Sequence, residues 1–404
     1  MRISTSQMTN SGVRQMLLRQ AEIQHTQLQL ATQKRILKAS DDPVGATAIN
    51  ALTAEISKLE QFNANADSVK ASNELEESVL SGVTDVLFRM RELSVSLGNG
   101  TYEESELDSI GVELKQRLEE LVGLANSQDA NGNFLFSGGK VKVKPFTIDA
   151  SGNYQFNGDQ SQRMVRVSSG VVIPASDSGF DIFVKIRDGN GKFAVSSNSS
   201  NTGNATISPG SYEAPPAFLA EPYTITFAVN ASNQTTYTVT GDTSGTTVVP
   251  ATVYQEGEQI SFNGITVSVV GDPEVGDELN IKPSNSISLF DTVKTALDGI
   301  EDYQENLAGR AHFTNIMTNF QESLDRAMDN IDLSRGKIGA RLNTIDSEID
   351  SNLSLIVSNK SSLSDIRDLD FVEASTRFSQ QLTVLEAAQA SFVRVQNLNL
   401  FNFL

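Results

Sequence analysis

The sequence predicts an α+β protein. It reads as an elongated rod of long antiparallel helices, with a coiled-coil-like terminal pair, a helical bundle and an inserted antiparallel β domain. Three observations predict it. Apolar residues recur at helical spacing over the first ~130 and the last ~120 residues. Nine of the ten prolines fall within 131–285. That same stretch alternates β-branched and aromatic runs with Asn-Gly and Asp-Gly turns.

In chain order, Met16, Ile23, Leu30 and Leu37 recur every seven residues. The run is broken at Ser40-Asp41-Asp42-Pro43. Asp42 is a candidate N-cap, and Pro43 a candidate first helical residue, where its missing N–H costs nothing. Proline also disfavours helix at the residue before it. A second helix therefore starts here in a new direction. Val83, Leu87, Met90 and Leu97 form one stripe, and Leu107, Ile110, Leu114, Leu118, Leu121 and Ala125 another. A loop at 98–102, GNGTY, separates them.

In the β region the expected hairpins are FTID-ASGN-YQF, FDIFVKI-RDGNG-KFAV, YTITFAV-NASNQ-TTYTVT and ISF-NG-ITVSVV. Residues 196–217 read as a polar loop or linker. Helical spacing resumes near 286. Leu342, Ile349, Ile356 and Leu363 keep a heptad, interrupted in its companion position by Asn352 and Asn359. After SDIRDLD (364–370) a second heptad holds Phe371, Phe378, Leu385 and Phe392, with Ala374, Ala388 and Val395 alongside. Large residues facing alanines predict a tight helix–helix seam.

The expected division is a terminal paired-helix assembly domain (1–42 and 370–404), a helical domain (43–139 and 286–369) and a β-rich domain (140–285). Ser40, Asp41, Asp42 and Pro43 are the expected interdomain joint. The expected assembly interface is Met16, Ile23, Leu30 and Leu37 with Phe371, Phe378, Leu385, Phe392, Val395, Leu400, Phe401 and Leu404. Two helices alone bury too little surface to consume such stripes.

Charge agrees with this division. The net charge is −19. Residues 1–42 carry six Lys/Arg against three acids, and 370–404 two against three, leaving −21 for the middle. Low charge suits ends that pack on copies of themselves; the acidic body is unsuited to nucleic acid. No stretch reaches the ~20 apolar residues that span a bilayer. The start, MRISTSQMTN, lacks the apolar region of a cleaved signal peptide.

Chemistry is sparse. Cys is absent and His occurs only at 25 and 312. No HExxH occurs, and no phosphate loop. DGNGK (188–192) starts like a calcium loop but has Lys192 at a ligand position, so it reads as a turn. NSS, NAT, NAS and NQT match the glycosylation pattern, which arises readily in an Asn/Ser/Thr-rich region. No catalytic residue, metal or cofactor is expected.

Several motifs in order carry a family resemblance. KRILKASDDPVGA (34–46), NGNFLFSGGK (131–140), the start MRIST and the ending LEAAQASFVRVQNLNLFNFL resemble the hook–filament junction proteins of bacterial flagella. These are the third hook-associated proteins of the flagellin-like family. The resemblance covers 1–140 and 286–404. It implies a non-enzymatic axial subunit, assembling as a ring between the other hook-associated junction protein and flagellin. It also implies type III export through the flagellar channel without a cleaved signal peptide, and an export chaperone at the C-terminal helix. The alternatives within the class are flagellin or another flagellar axial protein, such as the neighbouring junction protein; Pro43 and the LNLFNFL ending argue against flagellin itself. The alternative from another class is a secreted enzyme or lectin with its activity in 140–285.

Overall fold

A computed structural model describes residues 5–99, 104–213 and 219–401. The chain divides into two compact units, Met1–Asn65 with Ser347–Leu404, and Ala66–Asp346. It is an α+β chain in which helical ends flank an inserted antiparallel β region.

The first unit contains α1 (Thr5–Thr32), the start of α2 (Pro43–Asn99), the end of α5 (Leu307–Arg367) and α6 (Phe371–Phe401). Ile56, Leu59 and Phe62 of α2 pack with Ile356 and Leu363 of α5. Asn352 is buried in the same helix pair, and its amide donates to Asn63 Oδ1 at 3.0 Å. A paired buried amide fixes register between helices at some cost in stability. Both chain breaks, at 33–42 and at 368–370, lie inside this unit.

Two large hydrophobic cores are seen among the described residues of the second unit. The first is built by the rest of α2 and α5 with α3 (Glu104–Ala125) and α4 (Leu289–Glu301). All the expected stripe residues of α2 and α3 are buried in it except Ile110, which is partly buried. Residues 100–102 of the expected loop lie outside the described residues. Four aromatic rings close one end: Phe146 lies 4.8 Å from Phe290 and 5.6 Å from Phe183, and Phe183 is edge-on to Phe136 at 5.2 Å.

Phe146 belongs to a small hairpin, β1 (Phe146–Ile148) with β2 (Tyr154–Phe156), as expected. Another pairs β3 (Met164–Arg166) with β4 (Val172–Pro174). The reading of FDIFVKI as a strand is corrected. Phe180–Val184 forms one turn of π-helix, which buries Ile182 and Phe183 together, whereas a strand would place them on opposite faces. The following β5 (Ile186–Arg187) pairs with β15 (Ser286–Ile287) across the neck of the insertion.

The second core lies between two sheets. One has the order β11 (Thr247–Val253), β10 (Thr235–Gly241), β9 (Tyr223–Val229), β14 (Glu278–Pro283), β6 (Phe193–Ser197). The other runs β12 (Gln259–Phe262), β13 (Ile265–Val270), β7 (Thr206–Ile207), with β8 (Ser211–Tyr212) also on β13. Tyr223, Ile225, Val239 and Ile281 from the first meet Ile207, Ile265 and Val269 from the second. The β12–β13 hairpin turns at Asn263 and Gly264, whose φ values of 43° and 76° fit the Asn-Gly turn read from sequence. The 196–217 segment is more than a linker: it supplies β7, β8 and the buried Ala205. Residues 214–218 of it lie outside the described residues.

Helix α5 covers the sheet margins with polar side chains one or two turns apart. Asn315 Oδ1 accepts the Ile207 N–H at 2.9 Å, the Asn319 amide donates to the Val195 carbonyl, and His312 Nδ1 lies 2.9 Å from Ser197 Oγ. Open strand edges invite pairing with other chains, and this ladder covers the β6 and β7 edges.

Candidate assembly surface

The first unit carries the site residues that the sequence singles out. Helix α1 ends at Thr32, and Gln33 takes a left-handed conformation with φ 56°. The chain then pairs with the other break: Arg35 N–H donates to Arg367 O at 2.7 Å and Leu369 N–H to Gln33 O at 3.0 Å. The buried Gln29 amide donates to Arg35 O at 2.6 Å.

Each new helix starts on an aspartate. Asp42 Oδ1 accepts the Gly45 N–H at 2.8 Å, so Asp42 caps α2 with Pro43 as its first residue. Asp370 Oδ1 accepts the N–H groups of Val372 and Glu373 at 2.9 and 3.1 Å. Asp41 works differently from its neighbour. Its Oδ2 accepts the N–H groups of Leu37 and Lys38 at 3.0 and 2.9 Å, and Oδ1 lies 3.4 Å from His25 Nε2. Those bonds, led by that from Lys38, hold its carboxyl below the usual carboxylate range. Gly45 sits against Ile36, where a Cβ would come within 2.5 Å of the Ile36 side chain. The SDDP segment is thus a tightly bonded bend.

Helices α1 and α6 pair antiparallel. Of the expected interface residues, Ile23 is buried, and Met16, Leu30, Leu37, Phe378, Leu385 and Phe392 are half-buried. Phe371 is 62% exposed. A Cβ on Gly12 would come 2.9 Å from the Phe392 ring, so only glycine leaves that ring its seat on α1. Val395, Leu400 and Phe401 lie on α6, but their side chains are outside the described set, and Leu404 is outside the described residues.

Heptad periodicity caught only Phe371 of a second set. Leu17 and Leu28 on α1 are eleven residues apart and 61% and 55% exposed. Phe371, Leu382 and Val393 on α6 keep the same eleven-residue spacing, the last two 39% and 54% exposed. Eleven residues are three turns of helix, so each set forms a line along its helix. These lines are uncovered in the single chain. The signal was present in the sequence as a second, longer apolar period beside the heptad.

Neither His belongs to a cluster. Among the described residues no group of three or more His, Cys, Asp or Glu is placed to hold a metal ion, and no helix is long and apolar enough to cross a membrane. DGNGK is a turn in which Asn190 Oδ1 accepts the N–H groups of Lys192 and Phe193.

Paired terminal helices flanking a β insertion place the chain in the flagellin-like class. The model of the bacterial flagellin N-terminal helical region matches residues 3–140, and that of the C-terminal helical region matches 322–404. The crystal structure of flagellar hook-associated protein 3 from Legionella pneumophila is 31% identical, with a TM-score of 0.76 over 79% of this chain and 98% of that one. Flagellar hook-associated protein 3 of Salmonella typhimurium is 32% identical over 46% of this chain and 58% of its own length. A flagellin of Salmonella rostock is 26% identical over 72% of this chain and 60% of its own length. The chain thus spans between half and two thirds of the length of these curated relatives. It belongs to the flagellar hook-associated protein 3 family.

Proposed function

We propose that this chain is a structural, non-enzymatic subunit of the bacterial flagellum that joins hook to filament. It assembles as a ring, with the other hook-associated junction protein on one side and flagellin on the other. The observation that carries this reading is the α1–α6 pair with its two uncovered apolar lines, on a chain of this family. Isolated helices with such lines need partners, and a ring supplies them on every subunit.

Residues 1–42 and 370–404 act as the assembly domain, 43–139 and 286–369 as the helical body, and 140–285 as the outer β domain. Ser40 to Pro43 form the joint. Export proceeds through the flagellar channel, and a chaperone covers the C-terminal helix beforehand, because its apolar line would otherwise aggregate.

Electron microscopy of cells lacking the protein tests the reading. Hooks without filaments, flagellin shed into the medium, and rescue by this chain are expected. Normal filaments in the deletion strain would overturn it. A secreted enzyme or lectin would instead leave filaments intact and show activity or sugar binding in 140–285.

A further inference from the structure

A cleft of about 1000 Å³ opens between the α4–α5 elbow and the loop that follows β6. That is the upper end of the ~300–1000 Å³ range of small-molecule sites. Both walls are held in place. On the elbow, the Asp302 N–H donates to Asp298 O at 2.9 Å, and Asn306 Oδ1 accepts the Gly309 N–H at 2.7 Å as α5 begins. On the loop, the buried Asp277 accepts the N–H groups of Thr202 and Gly203 at 2.8 and 3.0 Å. Asn201 exchanges two bonds with the backbone of Glu278.

This scaffold leaves the lining side chains uncommitted. Among the described residues, Ser199 Oγ, Thr202 Oγ1, the Asp302 carboxylate and Tyr303 Oη have no hydrogen-bond partner within the chain. The Gln304 side-chain oxygen accepts the Asn306 amide at 3.3 Å, and its nitrogen has no partner within the chain. His312 Nδ1 lies 2.9 Å from Ser197 Oγ, which leaves Nε2 for the cleft. Tyr303 is half-buried, and Phe313 fixes its ring at 5.3 Å and 75°.

Charge narrows the ligand. Among the described residues no Lys or Arg lines the cleft, whereas Asp298 and Asp302 do. Lys294 and Arg310, on the same two helices, lie 4.0 Å from Asp298 and 3.6 Å from Glu305. A phosphate or an acidic sugar would meet two carboxylates and no lining Lys or Arg. A simple amine would engage the acids but leave the hydroxyl and amide donors unmatched. A sugar hydroxyl both donates and accepts, so it matches a wall that offers both, and an aromatic ring among a few placed polar groups completes such a site.

We infer that this cleft binds a neutral oligosaccharide, held by Asp302, Gln304 and His312 on the helical wall and by Ser199 and Thr202 on the loop, with Tyr303 against a sugar ring. Walls fixed before binding keep the ordering cost low. The site belongs to the second unit and uses none of the residues assigned to assembly, so it adds to the junction role.

The full-length chain, applied to an array of neutral, sialylated and sulfated oligosaccharides, should bind neutral members only. Asp302→Ala with Gln304→Ala alters two exposed side chains, so circular dichroism should hold while affinity falls at least tenfold. Ser199→Ala with Thr202→Ala, on the opposite wall, should lose binding as well. Both variants should still restore filaments in the deletion strain. No binding to any neutral member, equal binding to acidic members, displacement by spermidine, or undiminished binding by both variants overturns the site. Loss of filaments in well-folded variants would assign the cleft to assembly instead and overturn it too. Failure of the wild-type chain to restore filaments, with neutral sugar binding intact, overturns the junction role and leaves the site standing.

Discussion

The side chain of Glu76, fully buried on α2, accepts the backbone N–H of Asp177 at 3.0 Å. Asp177 is itself buried and accepts Arg341 Nη2 at 2.7 Å and the Gln162 amide at 2.6 Å. Asn73 holds the same loop through the carbonyls of Pro174 and Ala175. Burial, and then the Asp177 charge, push the Glu76 carboxyl up to about 8, against the opposing pull of the Asp177 N–H and of Arg341. Glu76 therefore takes up a proton on folding, and the stability this confers is complete below its ordinary value of 4.5 and lost as pH rises toward 8. Denaturation midpoints should fall from pH 5 to pH 8 with a slope on the order of 1 kcal/mol per pH unit. Glu76→Gln should flatten that slope and stabilise the protein at pH 8.

The Asn63–Asn352 pair predicts a trade between stability and register. Asn352→Ala leaves the Asn63 carbonyl oxygen without its donor and should cost about 1–3 kcal/mol in chemical denaturation. Replacing both by Leu should raise the midpoint instead, while engineered thiols across α2 and α5 begin to cross-link in shifted registers. Unchanged register in the double Leu variant would assign specification to the flanking apolar residues.

At the SDDP bend, Asp42→Ala removes the cap of α2 and should cost about 1 kcal/mol. Pro43→Ala removes a constraint on the unfolded chain and should cost well under that. If the bend serves as a joint, flagella built with Pro43→Ala should nonetheless shear more easily than wild type. Equal loss of thermal and mechanical stability would assign the bend to folding alone.

Gly12 offers a test of the α1–α6 seam. A Gly12→Val side chain would displace the Phe392 ring. Glycine in a helix interior otherwise costs about 1 kcal/mol against alanine, so a neutral position would tolerate or favour the change. Monomer helicity by circular dichroism should hold or rise, while incorporation into flagella falls. Normal incorporation would mean that Phe392 has another seat on assembly.

The long helices were legible because single apolar stripes, an Asp-Pro start and an Asp cap are local signals. The buried faces of α2 and α3 follow from spacing alone. Asn-Gly turns likewise gave the β12–β13 hairpin. What stayed hidden depends on partners far along the chain. FDIFV has strand composition, yet a core formed with Phe136, Phe146 and Phe290 takes Ile182 and Phe183 from one side and winds the segment into a π turn. Thr206–Ile207 sits in a polar stretch and becomes a strand because β13 and Asn315 receive it. At the termini the heptad was legible, but pairing within the chain takes up Ile23, and with it much of the seam. Of the residues left outward, Leu17, Leu28, Leu382 and Val393 follow the longer period, while Val13, Leu18, Val372 and Val384 are exposed beside them.

That outward set gives the most direct test of the central claim, that the terminal pair carries assembly. Leu17→Ser, Leu28→Ser, Leu382→Ser and Val393→Ser are combined in one full-length chain and expressed in cells lacking the protein. The tips of isolated hooks are then imaged by electron microscopy, with circular dichroism of the purified monomer alongside. The account predicts a monomer of wild-type helicity and hooks that carry neither this chain nor a filament. Filaments of normal number and length on those hooks would contradict it.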